Sequence, residues 1–231
     1  MQHSLSTVRN QPIPLPLSQS ASRVKVRPGD RWLLMGTSGS GKTTAAKMLD
    51  ARLGRLFPTS RHYIFDSKFD GDFDDYQGLV RGDSAPRGPR GNQKYQVWQP
   101  IKLIPEQIER WLWQVRHDAP AILLIDELYS LVFKKGSYSD EFNIIQKTGR
   151  SLPVASIVCS QELSKIPPNA YKQAVHRLGF YLDGRYDRLI RNDLLKFKVE
   201  DPQDPYGFYY QHQNQRGEPQ YFKTVQSFLH L

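Results

Sequence analysis

The sequence predicts an α/β fold: a mainly parallel sheet with helices on both faces, closed by a carboxyl-terminal β-hairpin. Three observations predict it. Ala121-Ile122-Leu123-Leu124-Ile125 is a continuous apolar run, the pattern of a strand buried on both faces of a parallel sheet. Trp32-Leu33-Leu34-Met35 is a second such run, and a glycine-rich turn carries it into the helix-forming stretch Thr44 to Leu49. Strand-like and helix-like segments then alternate through the middle of the chain, which argues right-handed crossovers.

Taken in order, residues 1–21 are polar with Pro12, Pro14 and Pro16 and read as an extended N-terminal arm. Val24-Lys25-Val26 alternates as a short strand, turned by Pro28-Gly29-Asp30 into the 32–35 strand. Gly54, just after Arg52-Leu53, reads as a helix C-cap. Tyr63 to Asp66 is the next strand, Arg81 to Asn92 a long mobile loop, and Tyr95 to Trp98 a short strand. Ile108, Trp111, Leu112 and Val115 share one helix face, so 105–117 is helical. A helix over 140–147, buried strands over 154–159 and 177–182, and a hairpin around Gln215 to Glu218 complete the expectation. The domain reading is the arm, a core over 22–200, and the hairpin over 201–231 as an extension of that same domain.

At 231 residues the chain can bury a sizeable core. The single Cys159 excludes an internal disulfide framework and fits a reducing compartment. Six scattered histidines show no ligand spacing, so no zinc is expected. The acidic run Asp70 to Asp75 is read as a solvated loop, because Gln77 stands where a calcium loop counted from Asp66 needs Glu. No apolar segment approaches the roughly 18 to 20 residues that span a bilayer, and the N-terminus lacks a signal-type apolar stretch. A formal charge of +9 suits a polyanionic partner or a generally basic surface, and bears on neither fold nor chemistry.

Residues Gly36-Thr37-Ser38-Gly39-Ser40-Gly41-Lys42-Thr43 fit G-x-x-x-x-G-K-S/T between a strand and a helix, the phosphate-binding loop. Its glycines let backbone N–H groups turn inward on phosphates, and the helix N-terminus adds partial positive charge. Lys42 is expected to reach the β/γ oxygens and the Thr43 hydroxyl to ligate Mg²⁺, with Thr44 completing the nucleotide contacts. Asp126-Glu127 closes the 121–125 strand. Asp126 is placed to hold the Mg²⁺ shell, and Glu127 to orient or deprotonate an attacking water. ATP and Mg²⁺ are therefore the expected ligands. Phosphate-loop proteins with such a Glu insert a strand between the loop strand and the acidic strand; 154–159 is the candidate, with Ser160-Gln161 at its tip facing the γ-phosphate. This is the RecA-like (ASCE) arrangement.

Ile64-Phe65-Asp66-Ser67-Lys68, Leu124 to Glu127, Gly149-Arg150-Ser151 and Val158-Cys159-Ser160-Gln161 together resemble the FtsK–HerA superfamily of DNA-pumping ATPases over roughly residues 30–190. Ser67 replaces the proline usual in its Asp-Pro-Lys element. The resemblance implies that Arg150 completes the site of a neighbouring subunit, and that Gln161 senses hydrolysis. Among such motors the chain's size is most similar to the small genome-packaging ATPases of internal-membrane icosahedral viruses. It implies a homo-oligomeric ring, expected to be a hexamer, that moves double-stranded DNA into a procapsid. Capsid-vertex or membrane proteins are the expected partners, and the place of action is the host cytoplasm at the virion or procapsid portal vertex. Arg87 and Arg90 in the glycine-rich loop, and Lys134 and Lys135 after the acidic strand, are the candidate DNA contacts. The rival readings are a filamentous-phage export ATPase of the zonula-occludens-toxin type and a non-motor nucleotide switch.

Overall fold

The computed structural model describes residues 24–89, 91–134, 137–148, 151–166, 168–215 and 217–229. The strands are β1 (Arg31–Met35), β2 (Arg61–Phe65), β3 (Leu79–Arg81), β4 (Tyr95–Gln99), β5 (Ala121–Ile125), β6 (Val132–Lys134), β7 (Ser137–Tyr138), β8 (Val154–Ser160), β9 (His176–Gly179), β10 (Phe208–His212) and β11 (Gln220–Phe222). The helices are α1 (Lys42–Leu56), α2 (Pro105–His117), α3 (Asp140–Thr148), α4 (Pro168–Gln173), α5 (Arg185–Leu195) and α6 (Val225–Leu229).

Nine strands form one sheet in the order β11-β10-β9-β1-β8-β5-β2-β4-β3. From β9 to β3 the pairings are parallel; β10 and β11 add on antiparallel. The sheet is RecA-like, and β8 stands between β1 and β5 as expected of the inserted strand. Alternation in β1 sends Leu33 and Met35 to one face and Trp32 and Leu34 to the other. The first face packs against α2, α3, α4 and α5 through residues such as Trp111, Phe142 and Leu195. The second packs against α1 and α6 through Leu49, Leu53 and Phe228. Apolar residues bury both faces, so the middle strands are apolar without polar alternation.

Four local expectations need correction. Val24–Val26 is not a strand: both edges of β1 are taken, by β8 and β9, so no ladder position is left for it. Its two valines instead lie over Trp32, Leu49 and Leu53, lining a small cavity of about 170 Å³. Gly54 does not cap α1, which runs on to Leu56. It is a point of close approach: a Cβ there would stand 2.6 Å from His62 Cε1. The strand expected over 177–182 ends at Gly179, after which Phe180 N donates to Met35 O (2.7 Å) and Tyr181 O accepts from Thr37 N (2.9 Å). Finally, Arg81 is the last residue of edge strand β3, and the glycine-rich stretch after it is tied down. Trp98 Nε1 donates to Gly82 O (2.9 Å), Ala85 N to Gln107 Oε1 (2.9 Å) and Arg61 to Pro89 O (3.2 Å). Among the described residues no helix is long and apolar enough to cross a membrane.

Candidate active site

In a parallel sheet the loops at the carboxyl ends of the strands share one edge, and ligands bind there. The phosphate loop follows β1. Gly39 and Gly41 have φ of 72° and 94°, left-handed values at which a side chain would be strained. Ser40 Oγ donates to Thr37 O (2.8 Å) and cinches the loop. Gly41 caps α1 without any side-chain hydrogen bond, so the first N–H groups of that helix are left to face an anion. A Cβ on Gly36 would meet Phe180 Cβ at 2.7 Å, so this position needs glycine for packing. Gly36 N donates to Ser160 O (3.2 Å) and Thr37 N to Tyr181 O (2.9 Å), binding the loop to the tips of both neighbouring strands.

Lys42 is buried and its Nζ is held by the Thr37 carbonyl. Burial lowers its pKa, and the nearby Lys68 charge adds to this, against the pull of Glu127 and Asp126. Thr43 Oγ1 donates to Asp126 Oδ1 at 2.9 Å. Asp126 is fully buried at the end of β5, and Lys68 Nζ stands 2.7 Å from its Oδ2, at ion-pair distance but without hydrogen-bond alignment. Burial would lower the Lys68 pKa, yet Asp126 outweighs it and the net direction is upward. Asp66, itself buried, accepts from Lys68 N (3.1 Å) and Gln99 Nε2 (2.7 Å), which fixes the turn that aims Lys68.

Glu127 follows as the cap of a short 3₁₀ turn, accepting from Tyr129 N at 3.4 Å. Burial raises its pKa, while Lys68 and the backbone N–H groups of Tyr129 and Gln161 favour its charged form. The Gln161 backbone thus lies beside Glu127 at the tip of β8, next to the phosphate loop. A divalent cation fits the donor set: the Thr43 hydroxyl and a buried carboxylate sit together, and the Oδ2 lone pairs face only an ammonium.

The phosphate loop from Gly36 to Thr43, with Thr44 in the first turn of α1, therefore gathers with Asp126, Glu127 and Gln161 at one edge. Arg150, Arg90 and Lys135 lie outside the described residues, and Lys134 ends the β6–β7 ribbon. Arg87 is exposed but remote: its carbonyl accepts from Gln96 near the start of β4, at the opposite edge of the sheet. Sequence reasoning gives Lys68 no role of its own beyond the Asp66-Ser67-Lys68 motif. Its position two residues past a strand-ending acid is the signal that it reaches the site.

The fold is shared with several solved ATPases. The genome-packaging NTPase B204 of Sulfolobus turreted icosahedral virus 2, solved with ATP-γS, superposes with a TM-score of 0.65 at 16% identity, covering 87% of this chain and 100% of B204. The cytoplasmic domain of the type VII secretion ATPase EccC of Thermomonospora curvata gives 0.59 at 17% identity, over 84% of this chain and 25% of that one. The pCW3 conjugation coupling protein TcpA gives 0.56 at 12%, over 91% and 67%. At these identities the likeness is one of fold, and the fold agrees with the FtsK–HerA resemblance. In sequence, the macrolide export ATP-binding/permease protein MacB of Syntrophobacter fumaroxidans is 47% identical over 68 residues. That match spans 29% of this chain and only 9% of MacB. The family model of the AAA ATPases matches residues 32–172, more than half the chain and the whole stretch from phosphate loop to β8 tip. The chain thus belongs to the ATPase family associated with various cellular activities (AAA), and the reaction it catalyses is ATP hydrolysis.

Proposed function

We propose that this ATPase is a double-stranded DNA translocase that packages a viral genome into a procapsid, working as a homo-oligomeric ring, a hexamer in the simplest case. The observation that carries the proposal is the B204 superposition, which takes in the whole of a genome-packaging NTPase; the EccC match takes in a quarter of its partner. The basic charge of +9 supports a polyanionic track.

In this reading the amides of residues 36–41 and the N-terminus of α1 cradle the phosphates, and Lys42 swings from the Thr37 carbonyl onto the β/γ oxygens. Thr43 and Asp126 would hold Mg²⁺, which when bound neutralises charge on the phosphate oxygens. Glu127 orients the attacking water and takes its proton; its partial burial keeps competing water away. Gln161 reads the γ-phosphate and reports its loss to the β8 tip. Arg150 reaches the neighbouring subunit's γ-phosphate, a contribution of about 10³–10⁵ in rate for such arginines. Arg87, Arg90, Lys134 and Lys135 are the proposed backbone-gripping cations, and the place of action is the procapsid portal vertex in the host cytoplasm, docked on capsid or membrane proteins.

The test is ATPase rate with and without duplex DNA at low salt, on an assembled ring. Stimulation that fades as salt rises is expected. A rate indifferent to duplex, in a preparation whose ring assembly is verified, overturns the translocase reading and leaves the ATPase.

A further inference from the structure

We infer that the base of the bound nucleoside triphosphate stacks on Tyr206, on the β9–β10 side of the phosphate loop; the inference rests on the nucleotide-binding reading of that loop. Direction comes from topology. Along the carboxyl edge, Gln161 follows β8 and Asp126-Glu127 follows β5, so everything suited to the γ-phosphate stands on one side of β1. A triphosphate is linear, so its nucleoside end must leave by the other side, past β9 and the start of β10.

That side is built to receive it. A cavity of about 380 Å³ adjoins residues 37–40 and is walled by Tyr181, Asp183 and the segment 202–205, within the range of about 300 to 1,000 Å³ usual for ligand pockets. Beside it, the Tyr206 ring rests on the phosphate loop itself: a Cβ on Gly41 would meet Tyr206 Cδ1 at 3.1 Å. Tyr206 is nonetheless 61% exposed, so the residue is open to a second planar group.

The segment that carries it is held. Asp204 N lies 3.3 Å from Tyr221 Oη, Tyr221 Oη donates to Asp204 Oδ2 (2.7 Å), and Gly207 N donates to Asp204 O (3.0 Å). Upstream, fully buried Arg191 donates to Asp201 Oδ1 (2.8 Å) and Val199 O (3.1 Å). Tyr206 is thus presented on an anchored strut, as a stacking platform must be.

Binding of two probes with Mg²⁺ tests this: ATP, and inorganic tripolyphosphate, which has the phosphates without the base. Tyr206→Ala is expected to weaken ATP about tenfold, within the range known for base–aromatic stacking, and to leave tripolyphosphate within about twofold. Tyr206→Phe is expected to keep ATP affinity within about twofold of wild type, because the ring and not the hydroxyl does the stacking. Unchanged ATP affinity in Tyr206→Ala overturns the platform while leaving the phosphate loop intact. So does equal loss of both probes, which would mean a distorted loop, and so does a Tyr206→Phe variant as weak as Tyr206→Ala. If the wild-type chain binds neither probe, the nucleotide reading falls, and the platform with it.

Discussion

The two flanks of β1 are made of different chemistry. On the β8–β5–β2 side Asp126 meets the Thr43 hydroxyl at 2.9 Å and the Lys68 ammonium at 2.7 Å, with Lys42 and Glu127 electrostatically coupled to them, each at the tip of a parallel strand or the start of α1. On the β9–β10 side the groups are aromatic and the strands antiparallel, and the wall is a loop segment tied back by Arg191 and Tyr221. The first flank gets its geometry from the sheet itself, since neighbouring parallel strands deliver their tips to one edge. The second needs a separate anchor. Charge therefore sits on the tips of parallel strands, and the aromatic platform on an irregular segment that side-chain contacts hold in place.

The sharpest division between the flanks is expected from Glu127→Gln. Losing the proton acceptor should cut turnover by about 10²–10⁴ while ATP affinity stays near wild type. Single-turnover hydrolysis and equilibrium binding measure the two separately. Near-normal turnover would remove Glu127 as the base and blur the comparison, because the charged flank would then serve binding alone.

The same division governs which parts of the molecule are legible in its sequence. The phosphate loop, β5 and the Asp126-Glu127 pair are legible because fixed chemistry demands fixed local spacing, and because buried parallel strands are uniformly apolar. That pair also places β8 correctly between β1 and β5. Tyr206 is invisible, since nothing local ties it to Gly41; that contact exists only through the turn of the chain after α5. Gly54 misleads for a similar reason: a glycine near a helix end satisfies the local C-cap rule, whereas its cause is the His62 ring on β2. Val24 and Val26 alternate like a strand, but strand formation needs a free edge, which is a property of the sheet and not of the segment.

Arg191→Met probes the anchor of the second flank. Arg191 is fully buried and donates to Asp201, Val199 O and Phe180 O, so its loss strands Asp201 with Arg188 alone and orphans buried carbonyls. A loss of about 3 kcal/mol in unfolding free energy is expected, read from the urea midpoint at unchanged slope. Arg191→Lys should recover little, because a point charge cannot serve several acceptors in one plane. If either variant slowed hydrolysis at saturating ATP as much as Glu127→Gln, the flanks would not be separable.

Gly54→Ala tests how tightly the charged flank is seated on α1. Alanine is favoured in a helix interior by about 1 kcal/mol. Against that, the new methyl would overlap a buried His62 ring that Asp50 holds at 2.7 Å, so the ring cannot swing away. Overpacking of this kind costs about 1–3 kcal/mol, so a net destabilisation of up to about 2 kcal/mol is expected. A stabilised variant would show that the α1–β2 contact yields easily.

The smallest effect concerns acid stability, and it belongs to the second flank. His176 of β9 is buried, stacked on Trp32 with ring centroids 3.7 Å apart, and lies between Tyr210 Oη (3.0 Å) and Asp30 Oδ2 (3.2 Å). Burial lowers its pKa below the ordinary 6.5, more than Asp30 raises it. The unfolded chain then binds the extra proton first, so stability falls as pH drops below about 6.5, by at most about 1.4 kcal/mol per pH unit. Asp30 acts lower down. Burial pushes its pKa up, but the His176 and Arg27 N–H contacts prevail and its pKa lies below 3.8, so its contribution is lost only in strong acid. Urea unfolding between pH 7 and pH 5 should show the first slope in wild type and a shallower one in His176→Gln, whatever that variant's absolute stability. Equal slopes would mean that the antiparallel flank does not set the acid limit, and that a group on the charged side titrates in its place.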